Sequence, residues 1–154
     1  MDTTGRTLHL IDIENQLGHG RIKAYEVAEF MTSYKAVSNM RESDQVIIAV
    51  SSRDGLLELA RANMTTCRLM HRPGKNGADL ELLDVMLLEN IADRFDRVVL
   101  ASGDGGFVQA VFDLGIQGVH VTVIGQAGHI SKRLRLVAHQ TIEFPTYHLE
   151  RYAA

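Results

Sequence analysis

The sequence predicts an α/β domain built on a mostly parallel central sheet. Three observations carry that expectation. Short apolar runs rich in β-branched residues alternate with longer stretches of helical period along the 154 residues, the pattern of strand-helix-strand units. Two of the runs, Val46–Val50 and Val98–Ala101, are almost continuously apolar, as strands covered on both faces are. No repeat, low-complexity stretch or shift in composition divides the chain, so a single domain is expected over residues 1–154, with 145–154 as a short C-terminal tail.

The elements follow in order. The run Thr7–Asp12 is the first expected strand, and a helical pattern covers roughly residues 22–36. Gln45–Val50 is the second strand, followed by a helix near 54–63. Thr66–Met70 is the third, and the sequence "HRPGKNG" at 71–77 is the most loop-like interior stretch. A helix over 78–91 leads to the fourth strand, Arg97–Ser102. A helix over 106–115, the strand Val119–Gly125 and a helix over 130–138 come next, and the run Thr141–Phe144 stops at Pro145.

Composition narrows the function classes. Hydrophobic residues make up 45% of the chain, enough for one sizeable core. Sixteen Lys and Arg against nineteen Asp and Glu give a formal charge of -3, which argues against wholesale non-specific binding of nucleic acid but leaves room for a local basic face. One cysteine, Cys67, excludes an internal disulfide framework and a cysteine-cluster zinc site. It reads as core filler inside the third strand. No apolar run is long enough to span a membrane, and the first residues lack the apolar core of a signal peptide. The expectation is a soluble, intracellular, cytoplasmic protein without a membrane partner; a homo-oligomer is compatible with it.

In an open parallel sheet, ligands bind beyond the carboxyl ends of the strands, near the point where strand order reverses. The first strand ends on Asp12, and the fourth ends on Ser102, with Asp104 two residues on in "SGDGG". Both strands are strongly apolar and therefore expected to be central, which brings two carboxylates to one edge. A third acid, Asp79, opens the helix after the "HRPGKNG" loop. The plain alternative is structural, since acids cap helices and complement their first turn. Asp84, five residues further on, lies about 140° around the helix from Asp79 and is the weaker candidate. Carboxylates gathered in this way repel by roughly 3 kcal/mol per pair at about 5 Å and an effective dielectric near 20. A divalent cation relieves that repulsion, and an all-oxygen set of Asp and Asn suits Mg²⁺ or Mn²⁺. A cation so held lowers the pKa of a water and stabilises charge on a phosphoryl group.

Other chemistries have less support. "SGDGG" as a phosphate-binding turn lacks the P-loop Lys and the G-x-G-x-x-G spacing. His9 falls mid-strand and is expected to be packed or to point at a helix. No histidine pair has helical metal-ligand spacing. Basic residues cluster at Arg72 and Lys75 before the acidic helix and at Lys132, Arg133 and Arg135 in "SKRLRL". Any one of them is adequately explained as a solvated face, but a substrate with a phosphate backbone needs such groups.

Three blocks together resemble the NYN branch of the PIN-like nuclease superfamily, close to its LabA-like group. "LIDIENQ" (10–16) is similar to the family's first-strand motif, an Asp followed three residues later by an Asn. "GKNGADLELLDVM" (74–86) is similar to its K-G-x-D-x-x-L-x-x-D block, with an extra residue after Lys75. "VVLASGDGGFVQAV" (98–111) is similar to its S-G-D-x-D-F block, and "GVHVTVIG" (118–125) with the basic helix after it matches the downstream strand and helix. The resemblance implies a three-layer α/β/α Rossmann-like, PIN-like domain that cleaves RNA, single-stranded or structured, with Mg²⁺ or Mn²⁺. It implies that Asp12, Asp79 and Asp104 are catalytic and bind the metal, with Asn15, Ser102 and Asp84 as supporting polar residues. Arg72, Lys75, Lys132, Arg133 and Arg135 are the candidates for substrate phosphates. The chain departs from the pattern at Gly106, where the family usually has a further Asp. That departure supports an alternative, a non-catalytic module that binds RNA or protein. A third reading, a small-molecule phosphohydrolase, lacks the D-x-D nucleophile pattern on strand one, where Glu14 follows Asp12.

Overall fold

The computed structural model of the chain describes residues 5–64 and 66–145. Most of the tail expected over 145–154 therefore lies outside the described residues. Six strands form one sheet: β1 (Thr7–Asp12), β2 (Gln45–Val50), β3 (Arg68–His71), β4 (Arg97–Ala101), β5 (His120–Gly125) and β6 (Gln140–Glu143). Their order is β3-β2-β1-β4-β5-β6, and every pair is parallel. The sheet is thus wholly parallel where a mostly parallel one was expected.

Helices α1 (Ile13–Leu17), α2 (Ala24–Ser38) and α3 (Arg53–Arg61) pack on one face, with Val27, Phe30, Tyr34 and Leu59 buried against β1 and β2. Helices α4 (Gly77–Leu88), α5 (Ile91–Arg94), α6 (Val108–Ile116) and α7 (Lys132–Val137) pack on the other, through Leu82, Val85, Val111, Leu114 and Leu134. Right-handed crossovers force this division. The chain winds outward from β1 to β3 on one side, then returns past β1 to β4 and winds outward the other way. The reversal falls between β1 and β4, which are neighbours in register from Thr7↔Arg97 to Ile11↔Ala101. Both are buried; β4 is apolar from Val98 to Ala101, while β1 carries His9 at its middle.

Two short helices were not anticipated. Helix α1 has five residues and α5 has four, too short to give a periodic signal. Strand β3 begins at Arg68, so Cys67 precedes it; its amide donates to the Met64 carbonyl in a turn (3.3 Å), and the side chain is half-buried.

His9 is packed against a helix, as expected. Its Nδ1 lies 2.7 Å from the Tyr34 hydroxyl of α2 and its Nε2 2.9 Å from Asp44 Oδ2. The Arg41 amide and the His9 bond hold Asp44 below the usual carboxylate range although its burial works the other way, and burial lowers the His9 pKa. The ring is therefore neutral, donating from Nε2 to Asp44 and accepting at Nδ1 from Tyr34. This network ties α2 to the sheet near the start of β2, remote from the carboxyl ends.

Candidate active site

Asp12 is the last residue of β1 and also the N-cap of α1: its Oδ1 accepts from the Asn15 amide at 3.2 Å. Asp104 follows β4 by three residues and caps the 3-10 turn Gly105–Phe107, its Oδ1 accepting from the Gly106 amide at 3.0 Å. The structural role of each acid, foreseen as the plain alternative, is therefore real. Each cap uses Oδ1 and leaves Oδ2 without a capping role. Asp79, in the first turn of α4, joins the two, because its carboxyl is hydrogen-bonded to both Asp12 and Asp104.

The electrostatics follow from that contact. Burial, then the hydrogen bonds to Asp12 and Asp104, raise the Asp79 pKa to about 9. Burial also raises Asp12. Asp104 is held below the usual range, first by the hydrogen bond from Asp79 and then by the Gly106 amide. The contact thus favours the proton on Asp79 and the charge on Asp104.

The surrounding residues fix this placement. Ser102 is fully buried, and its Oγ accepts from the Asp104 amide at 3.3 Å. Asn15 Oδ1 accepts from the Gly103 amide at 3.1 Å and from Gln16 Nε2 at 3.2 Å. The Ser131 amide donates to the Gly103 carbonyl at 2.9 Å. Gly103 is thus tied to α1 by its N–H and to the start of α7 by its C=O. A Cβ on Gly103 would sit 1.9 Å from the His129 carbonyl oxygen, so only glycine fits there.

Sequence reasoning missed several of these partners. Gln16 and Gln126 are both buried, Gln126 Nε2 donates to the Gln16 carbonyl at 3.1 Å, and Oε1 of each has no protein partner. A glutamine in a five-residue helix and another just after β5 carry no distinctive spacing. Glu14 is turned to β2, where its carboxylate accepts from the Ser51 amide and hydroxyl at 2.8 Å. It braces two strand ends, and its charge contributes to raising Asp12.

Not every candidate comes together. Asp84 is nearly half exposed and pairs with Arg72 at 2.5 Å, with Glu81 on the same guanidinium at 2.6 Å. Its carboxylate is taken by Arg72, a partner outside the three central acids. Arg72 is therefore engaged by acids of α4, and Arg135 is paired with Glu143 of β6. Lys75, Lys132 and Arg133 are exposed. Lys132 and Arg133 follow Ser131, whose Oγ lies 3.2 Å from where a Gly105 Cβ would stand, so the basic start of α7 adjoins the Asp104 turn.

Among the described residues no three His, Cys, Asp or Glu side chains form a ready-made ligand cage. Three carboxylates linked through Asp79 instead offer hard oxygen donors on an open edge. That fits Mg²⁺, which takes one or two carboxylates and completes its shell with waters and substrate phosphate. Four surface grooves of about 280–550 Å³ lie elsewhere and include none of the three acids.

Comparison with known proteins decides the family. A model described as the NYN domain matches residues 6–148. The chain belongs to the NYN domain family. NYN domains are PIN-like nucleases, and such nucleases generally use divalent metals. This NYN domain is 32% identical over 89 residues to the low amplitude and bright protein LabA of Synechococcus elongatus, a match covering 54% of this chain and 48% of that protein. The chain thus spans about half the length of the curated relative it matches. Its fold is similar to the crystal structure of a protein of unknown function from Vibrio parahaemolyticus, with a TM-score of 0.67 and 20% identity, covering 94% of this chain and 96% of that one. Among the described residues of the NYN domain, no helix is long and apolar enough to cross a membrane.

Proposed function

We propose that this NYN domain is a metal-dependent ribonuclease that hydrolyses RNA phosphodiester bonds at the β1–β4 edge. The observation that carries the reading is Asp79 lying in hydrogen-bond contact with both Asp12 and Asp104 at the topological switch point. Asp12, Asp79 and Asp104 would hold Mg²⁺ or Mn²⁺, which when bound supplies an activated water and charge stabilisation at the phosphoryl group. Asn15 and Ser102 position the Asp104 loop through the Gly103 and Asp104 amides. Lys75, Lys132 and Arg133, all exposed, are the candidates for substrate phosphates.

The test is cleavage of labelled single-stranded and hairpin RNAs with and without Mn²⁺. Cleavage is expected only with metal and is expected to disappear in Asp12→Ala. Metal-independent cleavage shared by wild type and Asp12→Ala would sink the reading. RNA binding without cleavage across a broad panel would favour the binding module that Gly106 suggests.

Gly106 offers a second test. Its φ is not in the left-handed range, and a Cβ there would meet only the Asp104 carboxyl, at 3.5 Å. An acid is therefore sterically admissible and would stand next to Asp104. Gly106→Asp is expected to lower the metal concentration for half-maximal cleavage, by about tenfold if one added carboxylate contributes about 1.4 kcal/mol. It is also expected to enlarge the rise in melting temperature on adding Mn²⁺. An unchanged metal titration and an unchanged thermal shift would show that position 106 does not face the ion.

A further inference from the structure

Outside the aspartate edge, the α4–α6–α7 layer exposes six large apolar side chains. Leu80, Leu87 and Leu88 of α4, Phe112 and Ile116 of α6 and Leu136 of α7 are between 44% and 84% exposed. They are not scattered. Leu80 and Leu87 share a stripe seven residues apart, Phe112 and Ile116 lie one turn apart, and Leu87 and Ile116 line one groove of about 280 Å³ between α4 and α6. Helix α6 packs against both α4 and α7, so the stripes are neighbours.

At roughly 150–250 Å² for a large side chain, the exposed fractions amount to roughly 600 Å² of apolar surface, the upper end for a lone monomer. A standard dimer buries about 800 Å² per partner, of which about 65% is apolar in homodimers. The patch therefore has the apolar area that a self-association interface needs.

Charge indicates how two copies meet. On one flank, Glu81 and Asp84 share the single cation Arg72, leaving α4 net acidic. On the other, Lys132 and Arg133 make α7 basic, while Arg135 is already paired with Glu143. Arg135 marks the β6 side of α7, so Arg133, about 200° away by helical period, faces the α6 side. A two-fold axis parallel to α6 sets the α4 flank of one copy against the α7 flank of the other, acid against base, twice. An axis perpendicular to α6 would set acid against acid.

We infer that this layer is the interface of a symmetric homodimer, with α6 at its centre and α4 of each copy facing α7 of its partner. Sedimentation equilibrium of the full chain over a wide micromolar range tests it. Twice the chain mass is expected for wild type at the upper end. Ile116→Asp and Phe112→Asp, both at exposed positions, are expected to weaken the dimer at least about 30-fold while keeping the wild-type circular dichroism spectrum. Leu57→Asp, on α3 of the opposite face, serves as control and is expected to change nothing. Arg133→Glu is expected to weaken the dimer about three- to tenfold and to reduce its salt dependence. A wild type monomeric throughout would overturn the proposal and leave the patch to a different partner. So would an equal effect of Leu57→Asp, or a dimer indifferent to Ile116→Asp. Indifference to Arg133→Glu would overturn the α4–α7 pairing.

Discussion

Asp79→Asn should leave the fold at least as stable as wild type while lowering RNA cleavage by roughly 10²–10³. The carboxyl of Asp79 keeps its proton to about pH 9 because burial and its two acidic neighbours oppose ionisation. Asparagine has the same shape and is neutral, and its amide can donate to Asp12 and Asp104 together. Position 79 then adds no negative charge beside Asp12 and Asp104 at any pH, so the melting temperature should hold or rise. Cleavage should fall because a neutral amide oxygen attracts a divalent cation far less than a carboxylate. Thermal melts and cleavage of one RNA, measured side by side, check this. Loss of stability in step with activity would show Asp79 to be a structural residue, and full activity would remove it from the site.

Gly103→Ala carries the largest expected cost in stability, about 3–5 kcal/mol, or about 6–20 °C in melting temperature for a domain of this size. Its methyl group would meet the His129 carbonyl oxygen at 1.9 Å and Ile130 Cα at 3.1 Å, both main chain and unable to rotate away. Relief requires separating the Gly103 loop from the 129–131 segment, which breaks the bond from Ser131 to the Gly103 carbonyl. The same movement displaces Asp104, one residue on. Urea denaturation of the variant checks the figure; a loss under 1 kcal/mol would show that the two segments part easily.

The fold was legible because its signals are local. Apolar continuity at Val46–Val50 and Val98–Ala101 marked buried parallel strands, and β1 and β4 did prove to be neighbours at the reversal of strand order. The places of Asp12 and Asp104 just beyond β1 and β4, and of Asp79 at the start of α4, could be read from strand ends and one helix start. What holds them could not. Asn15 reaching Gly103, Glu14 bracing Ser51 and Gln126 bonded to the Gln16 carbonyl join residues 37 to 110 positions apart, and such pairs leave no periodic trace. The engagement of Arg72 and Arg135 was equally hidden, since a run of bases gives its charge but not its partners. Helix α1 escaped notice because five residues complete barely more than one turn.

Asp12 and Asp104 each begin a helical turn as well as facing the cluster, and a lost cap alone costs about 0.5–2 kcal/mol. Position 106 has no such second duty: a side chain there would meet only the Asp104 carboxyl, and its φ is not in the left-handed range. The acids of this edge are therefore unequal in evolutionary risk. A lineage that strips Asp12 or Asp104 weakens its fold with its chemistry, whereas an acid at 106 can be gained or dropped with little structural penalty. On the proposed ribonuclease reading, position 106 is the point at which descendants of one scaffold can drift between fast and slow turnover while remaining folded.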